Sequence, residues 1–305
     1  LPIPSRQDLL PYLFDSNKAH SNEGDGMKTY PSGGWKPPNE AIFSNFVSYR
    51  NRESGVFSHK GLLQTFIGGY YADNQRHGID LDRSYEGRIE NVTIVGFSAE
   101  YEALVQSPSN EKGIQALSSC GYNNYVQRGI QFHGDKMGGK NMGYQVSNVT
   151  FERFGSSTGC LNMAAVDVDS REDKGYFDPR HRISNINYNG IEESSQINLC
   201  DTQEAGIDYI HIVSDGGYIV SDNPLWTTFP QECLSLAGGE ACARFCSNSC
   251  VRSLKISVPS ASTPSTTILN VVDTSTNKSI QVSGQWKTQN FHSEFYMLSA
   301  QYRLY

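Results

Sequence analysis

Asn51-Arg52-Glu53-Ser54-Gly55-Val56 and Asn74-Gln75-Arg76-His77-Gly78-Ile79 share one pattern: an asparagine, three residues, a glycine and an aliphatic side chain. They begin 23 residues apart. Asn22, Gly26 and Met27 have the same internal spacing. A second pattern, apolar-x-Asn-apolar, occurs at Phe43-Ser44-Asn45-Phe46, Ile89-Glu90-Asn91-Val92, Val146-Ser147-Asn148-Val149 and Ile183-Ser184-Asn185-Ile186. Its first two copies lie 46 residues apart, with Phe66-Ile67-Gly68 midway between them. A fixed period of this size marks a repeat architecture. Short alternating stretches such as Val149-Thr150-Phe151 read as strands, and Asn and Gly recur where a chain turns sharply through positive φ. The period therefore predicts a parallel β-helix, with strands of successive coils about 4.8 Å apart and equivalent positions stacked into ladders. A leucine-rich solenoid would need a regular Leu signature, and a β-sandwich demands no fixed period.

The composition agrees with short strands and many turns. Of 305 residues, 28 are Gly and 11% are aromatic, while only 19% are charged. The 25 Lys and Arg against 32 Asp and Glu give a net charge of −7 with no long basic run, which disfavours a nucleic-acid binder. No apolar run is long enough to span a membrane, so no membrane insertion of this segment is expected. Seven cysteines (Cys120, Cys160, Cys200, Cys233, Cys242, Cys246 and Cys250) accompany three N-x-[ST] sequons at Asn91, Asn148 and Asn277. Together they predict a secreted or cell-surface glycoprotein with disulfides. The amino end lacks a signal pattern, so a mature form or a fragment of a longer chain is expected.

After residue 98 the spacing lengthens to 57 and then 37 residues, which predicts inserted loops around 100–125 and 170–181. Near residue 216 the character changes. The expected organisation is a parallel β-helix over 1–215, a Cys-rich connection over 216–250 and a small antiparallel, sandwich-like β domain over 251–305, where Thr267–Asp273 and Ser279–Gly284 flank a polar turn. The Cys242, Cys246 and Cys250 spacing lacks the C-x-x-C pairs of a zinc site, which favours disulfides of open connectivity.

The stretch Asn45-Phe46-Val47-Ser48-Tyr49-Arg50-Asn51-Arg52-Glu53-Ser54-Gly55-Val56-Phe57, followed by Ala72-Asp73-Asn74-Gln75-Arg76-His77-Gly78, resembles a coil of the cell-migration-inducing, hyaluronan-binding protein family and the related fibrocystin-like proteins. The resemblance covers roughly residues 15–100, and only topology from there to about 258. It implies an all-β, right-handed parallel β-helix on an extracellular protein, with hyaluronan binding or breakdown in some members. Of that family's D-x-D-G-S turn, Asp215-Gly216 alone is present.

Aligning coils by the Gly-apolar step puts Gly26, Gly55, Gly78, Gly129 and Ala165 in register. Side chains alternate along each strand, so Lys28, Phe57, Asp80, Gln131 and Asp167 are expected to point outward together. Beside them would run Tyr30, His59, Asp82, His133 and Asp169. The candidate catalytic set is Asp80, Asp82, His133, Asp167 and Asp169 on a solvent-facing strip, where carboxylates divide into acid and base and His shuttles a proton. Asp80, Asp82 and Asp167 are the candidate Ca²⁺ ligands, since that ion takes hard oxygen donors. Tyr70, Tyr71, Tyr85, Tyr122, Tyr125 and Trp226 are candidates to stack on sugar rings. Arg50, Arg52, Arg76, Arg83, Arg88 and Arg128 could meet an acidic polysaccharide or form surface ion pairs.

Two functions are therefore expected. The preferred one is structural or binding: recognition of a polysaccharide, the extracellular matrix or a cell-surface partner, or self-association into a filament through open strand edges. The other is a polysaccharide-degrading enzyme, a glycoside hydrolase or Ca²⁺-dependent lyase working on the strip.

Overall fold

A computed structural model describes residues 14–29, 35–105, 121–122, 125–133, 143–155, 163–169, 181–198, 211–215 and 217–221, together with strand segments between 233 and 304. Among the described residues the protein is mostly β, with a short α-helix, Ala99–Val105, and parallel strands dominating its two largest sheets, of 14 and 6 strands. By chain contacts the molecule divides into a unit of residues 1–226 with 234–245 and a unit of 227–233 with 246–305.

In the first unit the parallel strands stack in three columns, which the chain visits in the same order at each level. The first column aligns Phe14, Phe43, Phe66, Ile89, Val146 and Ile183 as successive partners. The second aligns Ala19, Ser48, Tyr71, Ile94, Phe151 and Tyr188. The third aligns Met27, Val56, Ile79, Ile130, Val166 and Ile197. The lengthened spacings after residue 98 thus leave the register of the columns unbroken.

The aligned side chains form the core. Phe66, Tyr71, Val56, Ile79, Ile89, Ile94, Ile130 and Val166 are all fully buried. Phe43 stacks on Phe66 with centroids 5.2 Å apart, and Phe151 on Tyr188 at 5.7 Å. Each such side chain contributes roughly 1.5–3 kcal/mol by leaving water. Tyr71, a candidate sugar platform, is one of these core residues and cannot meet a ligand. Its hydroxyl is covered, and burial raises its pKa.

The Asn-x-x-x-Gly pattern has a local cause. Asn22 Nδ2 donates to Asn51 Oδ1 at 2.8 Å, and Asn51 Nδ2 donates to Asn74 Oδ1 at 2.9 Å, a ladder crossing three levels that is buried at Asn51 and Asn74. The glycine follows because the next level approaches its backbone: a Cβ on Gly55 would lie 2.6 Å from the carbonyl oxygen of Gly78, and one on Gly78 would lie 2.7 Å from that of Gly129. The corner between the first and second columns is turned at positive φ by Asn45, Gly68, Asn91, Asn148 and Asn185. The other corners depart from the Asn/Gly expectation. Arg50, Asp73, Lys60 and Arg83 also adopt φ near +55° or a little below. The next level compensates part of that strain: the Arg50 and Lys60 amides donate to the carbonyls of Ala72 and Asp82 at 3.0 and 2.7 Å.

The strands His211–Ser214 and Gly217–Ser221 pair antiparallel. In the second unit Val251–Ser257 pairs antiparallel with His292–Leu298, and Ile268–Asp273 pairs antiparallel with Ser279–Ser283 and Tyr302–Leu304.

Candidate functional site

The expected strip lies on the outer side of the third column, where register brings its members together. Lys28 aligns with Phe57, Phe57 with Asp80, Asp80 with Gln131, Gln131 with Asp167, and Asp167 with Asn198. His59 aligns with Asp82, and the backbone of His133 with that of Asp169. The side chains of His133 and Asp169 lie outside the described residues, as do Asn277 and the side chains of all seven cysteines.

The expectation of a solvent-facing strip is overturned. Asp80 and Asp167 are 0% exposed, Gln131 3% and Asp82 8%. Alternation does direct these side chains away from the apolar core, but at the levels of Asp80, Gln131 and Asp167 the outer face is itself covered, while Lys28 stays exposed, and a period of 23 residues cannot report the difference. Among the described residues no group of three or more His, Cys, Asp or Glu side chains is arranged to hold a metal ion.

Burial forces the carboxylates to find partners, since an isolated buried charge is costly. Asp167 accepts from Gln131 Nε2 at 2.9 Å and Asn198 Nδ2 at 2.6 Å, and Arg128 Nε lies 3.2 Å away. The Asp80 carboxylate sits 3.7 Å from His77 Nε2. Asp82 contacts His59 Nδ1, with Arg83 Nε 3.6 Å from its other oxygen. Asp25 lies near the same edge, its carboxylate 3.5 Å from Lys28 Nζ and accepting from the Ser54 amide at 3.0 Å. Burial pushes the Asp25 carboxyl above its ordinary range, helped by the charges of Glu53 and Asp80.

Chemically the face divides in two. Gln131, Asp167 and Asn198 form a polar file closed by Arg128. The His59–Asp82 pair keeps about 12% exposure on each side chain, and a carboxylate holding one imidazole nitrogen orients the other for proton transfer. The sequence does not single out His77 and Asp25, and it offers Arg128 only as a cation for an acidic polysaccharide or a surface ion pair, because none of the three meets its partner at the repeat interval. The His59–Asp82 contact was legible, since the two residues are 23 apart.

The other binding candidates disperse. Tyr70 is exposed on the outer side of the second column, while Tyr122, Tyr125 and Trp226 have no described side chains. The Arg50 guanidinium lies over Tyr101 at 5.3 Å, and Arg88 bonds to Glu40 and Glu90 at 2.8 and 3.0 Å. In comparison with known proteins, the chain matches no family model and no curated sequence.

Proposed function

We propose that this chain is a right-handed parallel β-helix, followed by a small antiparallel β domain, from an extracellular protein that binds polysaccharide or matrix rather than cleaving it. The three columns in constant order support the helical winding, and the strong right-handed preference of parallel crossovers supports its hand. The antiparallel pairings after Val251 support the terminal domain. Sequons and cysteines support the compartment, and the motif resemblance supports an acidic polysaccharide such as hyaluronan as ligand.

One observation carries the choice of binding over cleavage. Asp80, Asp82 and Asp167 are each buried and engaged by groups of their own chain. A carboxylate so placed serves the fold before it serves a substrate. The second reading, cleavage, draws on the part-exposed His59–Asp82 pair and the raised Asp25 carboxyl, an arrangement of the kind acid–base catalysis uses.

Incubation with hyaluronan, pectate and alginate, with and without Ca²⁺, separates the two. Retarded migration in a polysaccharide-containing gel with unchanged polymer length is the expected result. Shortening of any polymer, abolished by Asp82→Asn or His59→Gln, would replace the binding reading with the enzymatic one. Electron micrographs of the same preparation test self-association, which predicts rods in place of single particles.

A further inference from the structure

The first and second columns meet at a corner where Asn91 and Asn148 occupy the same place on adjacent levels. Glu90 pairs with Ser147 and Thr93 with Thr150, so the two Asn-Val-Thr triplets are superposed. Both asparagines are exposed, both turn the chain at positive φ, and both threonines are half-buried on the outer side.

Their amides differ from those of comparable asparagines. Asn45, on the same corner, donates through Nδ2 to Asp15 at 3.0 Å, and Asn185 donates to Asn148 Oδ1 at 2.5 Å. In the asparagine ladder Asn22, Asn51 and Asn74 likewise donate through Nδ2. Among the described residues Asn91 makes no side-chain hydrogen bond, and Asn148 only accepts one, through Oδ1. Asn39 and Asn187 also donate nothing, but neither begins an N-x-[ST] triplet. The two described sequons thus keep the nitrogen that glycosylation consumes, while the neighbours that use theirs lack the triplet.

We infer that Asn91 and Asn148 both carry an N-linked oligosaccharide, making this corner a sugar-covered edge along which no partner packs. The inference rests on the extracellular reading above. The donor is a lipid-linked oligosaccharide pyrophosphate. Nδ2 bonds to C1 of its first sugar, the C1–O bond to the pyrophosphate breaks, the amide proton passes to the transferase's base, and the lipid pyrophosphate leaves. The two chains start one level apart, about 4.8 Å. On the far side of Asn91 the next level presents Gly68, which has no side chain, so the sugar on Asn91 can lean that way.

The test uses the protein isolated from its own source. Its N-glycans are released by amidase in ¹⁸O water, which turns each sugar-bearing asparagine into labelled aspartate, and the peptides are weighed. Label at both Asn91 and Asn148 is expected. Surface labelling of intact cells and assay of the medium locate the chain independently. A chain found outside the cell with either asparagine bare overturns the inference and leaves the extracellular reading standing, and a chain confined to the cytosol overturns both. In a secreting host, Thr93→Ala and Thr150→Ala keep the turn-forming asparagines and should each remove one glycan's mass, the double variant two. Unchanged mobility in either single variant would also overturn the inference.

Discussion

Asp167 carries the most consequential single contact of the third column, because Arg128 and Gln131 from the level on one side and Asn198 from the level on the other all direct hydrogen-bonding groups at it. Asp167→Ala leaves the Arg128 guanidinium, 7% exposed, without that counter-charge. Loss of a buried partner of this kind costs about 3–5 kcal/mol, and urea denaturation should read it. Asp167→Asn, which keeps an acceptor, should lose less. Glu40 shows the opposite regime. The Thr65 hydroxyl donates to it at 2.5 Å and Arg88 Nε at 2.9 Å, and these contacts hold its carboxyl below the usual range. A lowered folded pKa means stability that is present above the unfolded value and lost as pH falls through the folded one. Glu40→Gln should therefore be less stable than the parent at neutral pH, by less than about 1 kcal/mol at this part-exposed site. Denaturation curves of the two proteins should converge as acidification carries the pH down through and below the ordinary carboxylate range.

Among the elements, the helix Ala99–Val105 is the clearest case of a segment that depends on the columns. Seven residues are too few to hold helical order alone. Its start is fixed by Ser98, whose hydroxyl accepts from the Tyr101 amide at 3.1 Å while its own amide and hydroxyl donate to Asp73 at 2.6 and 2.8 Å. Arg153 ties the flank by donating to Glu102 at 2.7 Å. Ser98→Ala removes the cap and one of the two bonds to Asp73, so a loss of about 1–2 kcal/mol is expected. Hydrogen exchange should speed up selectively in residues 99–105, and uniform protection there would count against the anchoring role. The Ala72-Asp73-Asn74 segment thus serves two neighbours: Asp73 holds the helix and Asn74 ends the asparagine ladder.

For the whole first unit, stability is a sum of contacts between adjacent levels, so damage at one level should spread to its immediate neighbours and fade beyond them. Phe66 is the natural probe. It is fully buried, stacked on Phe43 and aligned with Ile89. Phe66→Ala should cost about 3–5 kcal/mol. Hydrogen exchange should quicken most in Ala41–Ser44 and Arg88–Glu90, and least at Arg182–Asn189.

The repeat itself was legible in the sequence. Asn51 and Asn74, or Phe43, Ile89, Val146 and Ile183, disclose the columns because stacking requires the same residue type wherever the same backbone position returns. The outward direction of Asp80, Gln131 and Asp167 followed from side-chain alternation. Tertiary structure alone decided that this outer face is covered, that Arg128, His77 and Asp25 join it, and that Arg50 and Lys60 turn corners at positive φ. Periodicity records which residues lie above one another along the stack, whereas burial and ion pairing depend on what packs sideways against it. Lateral packing has no fixed interval in the chain.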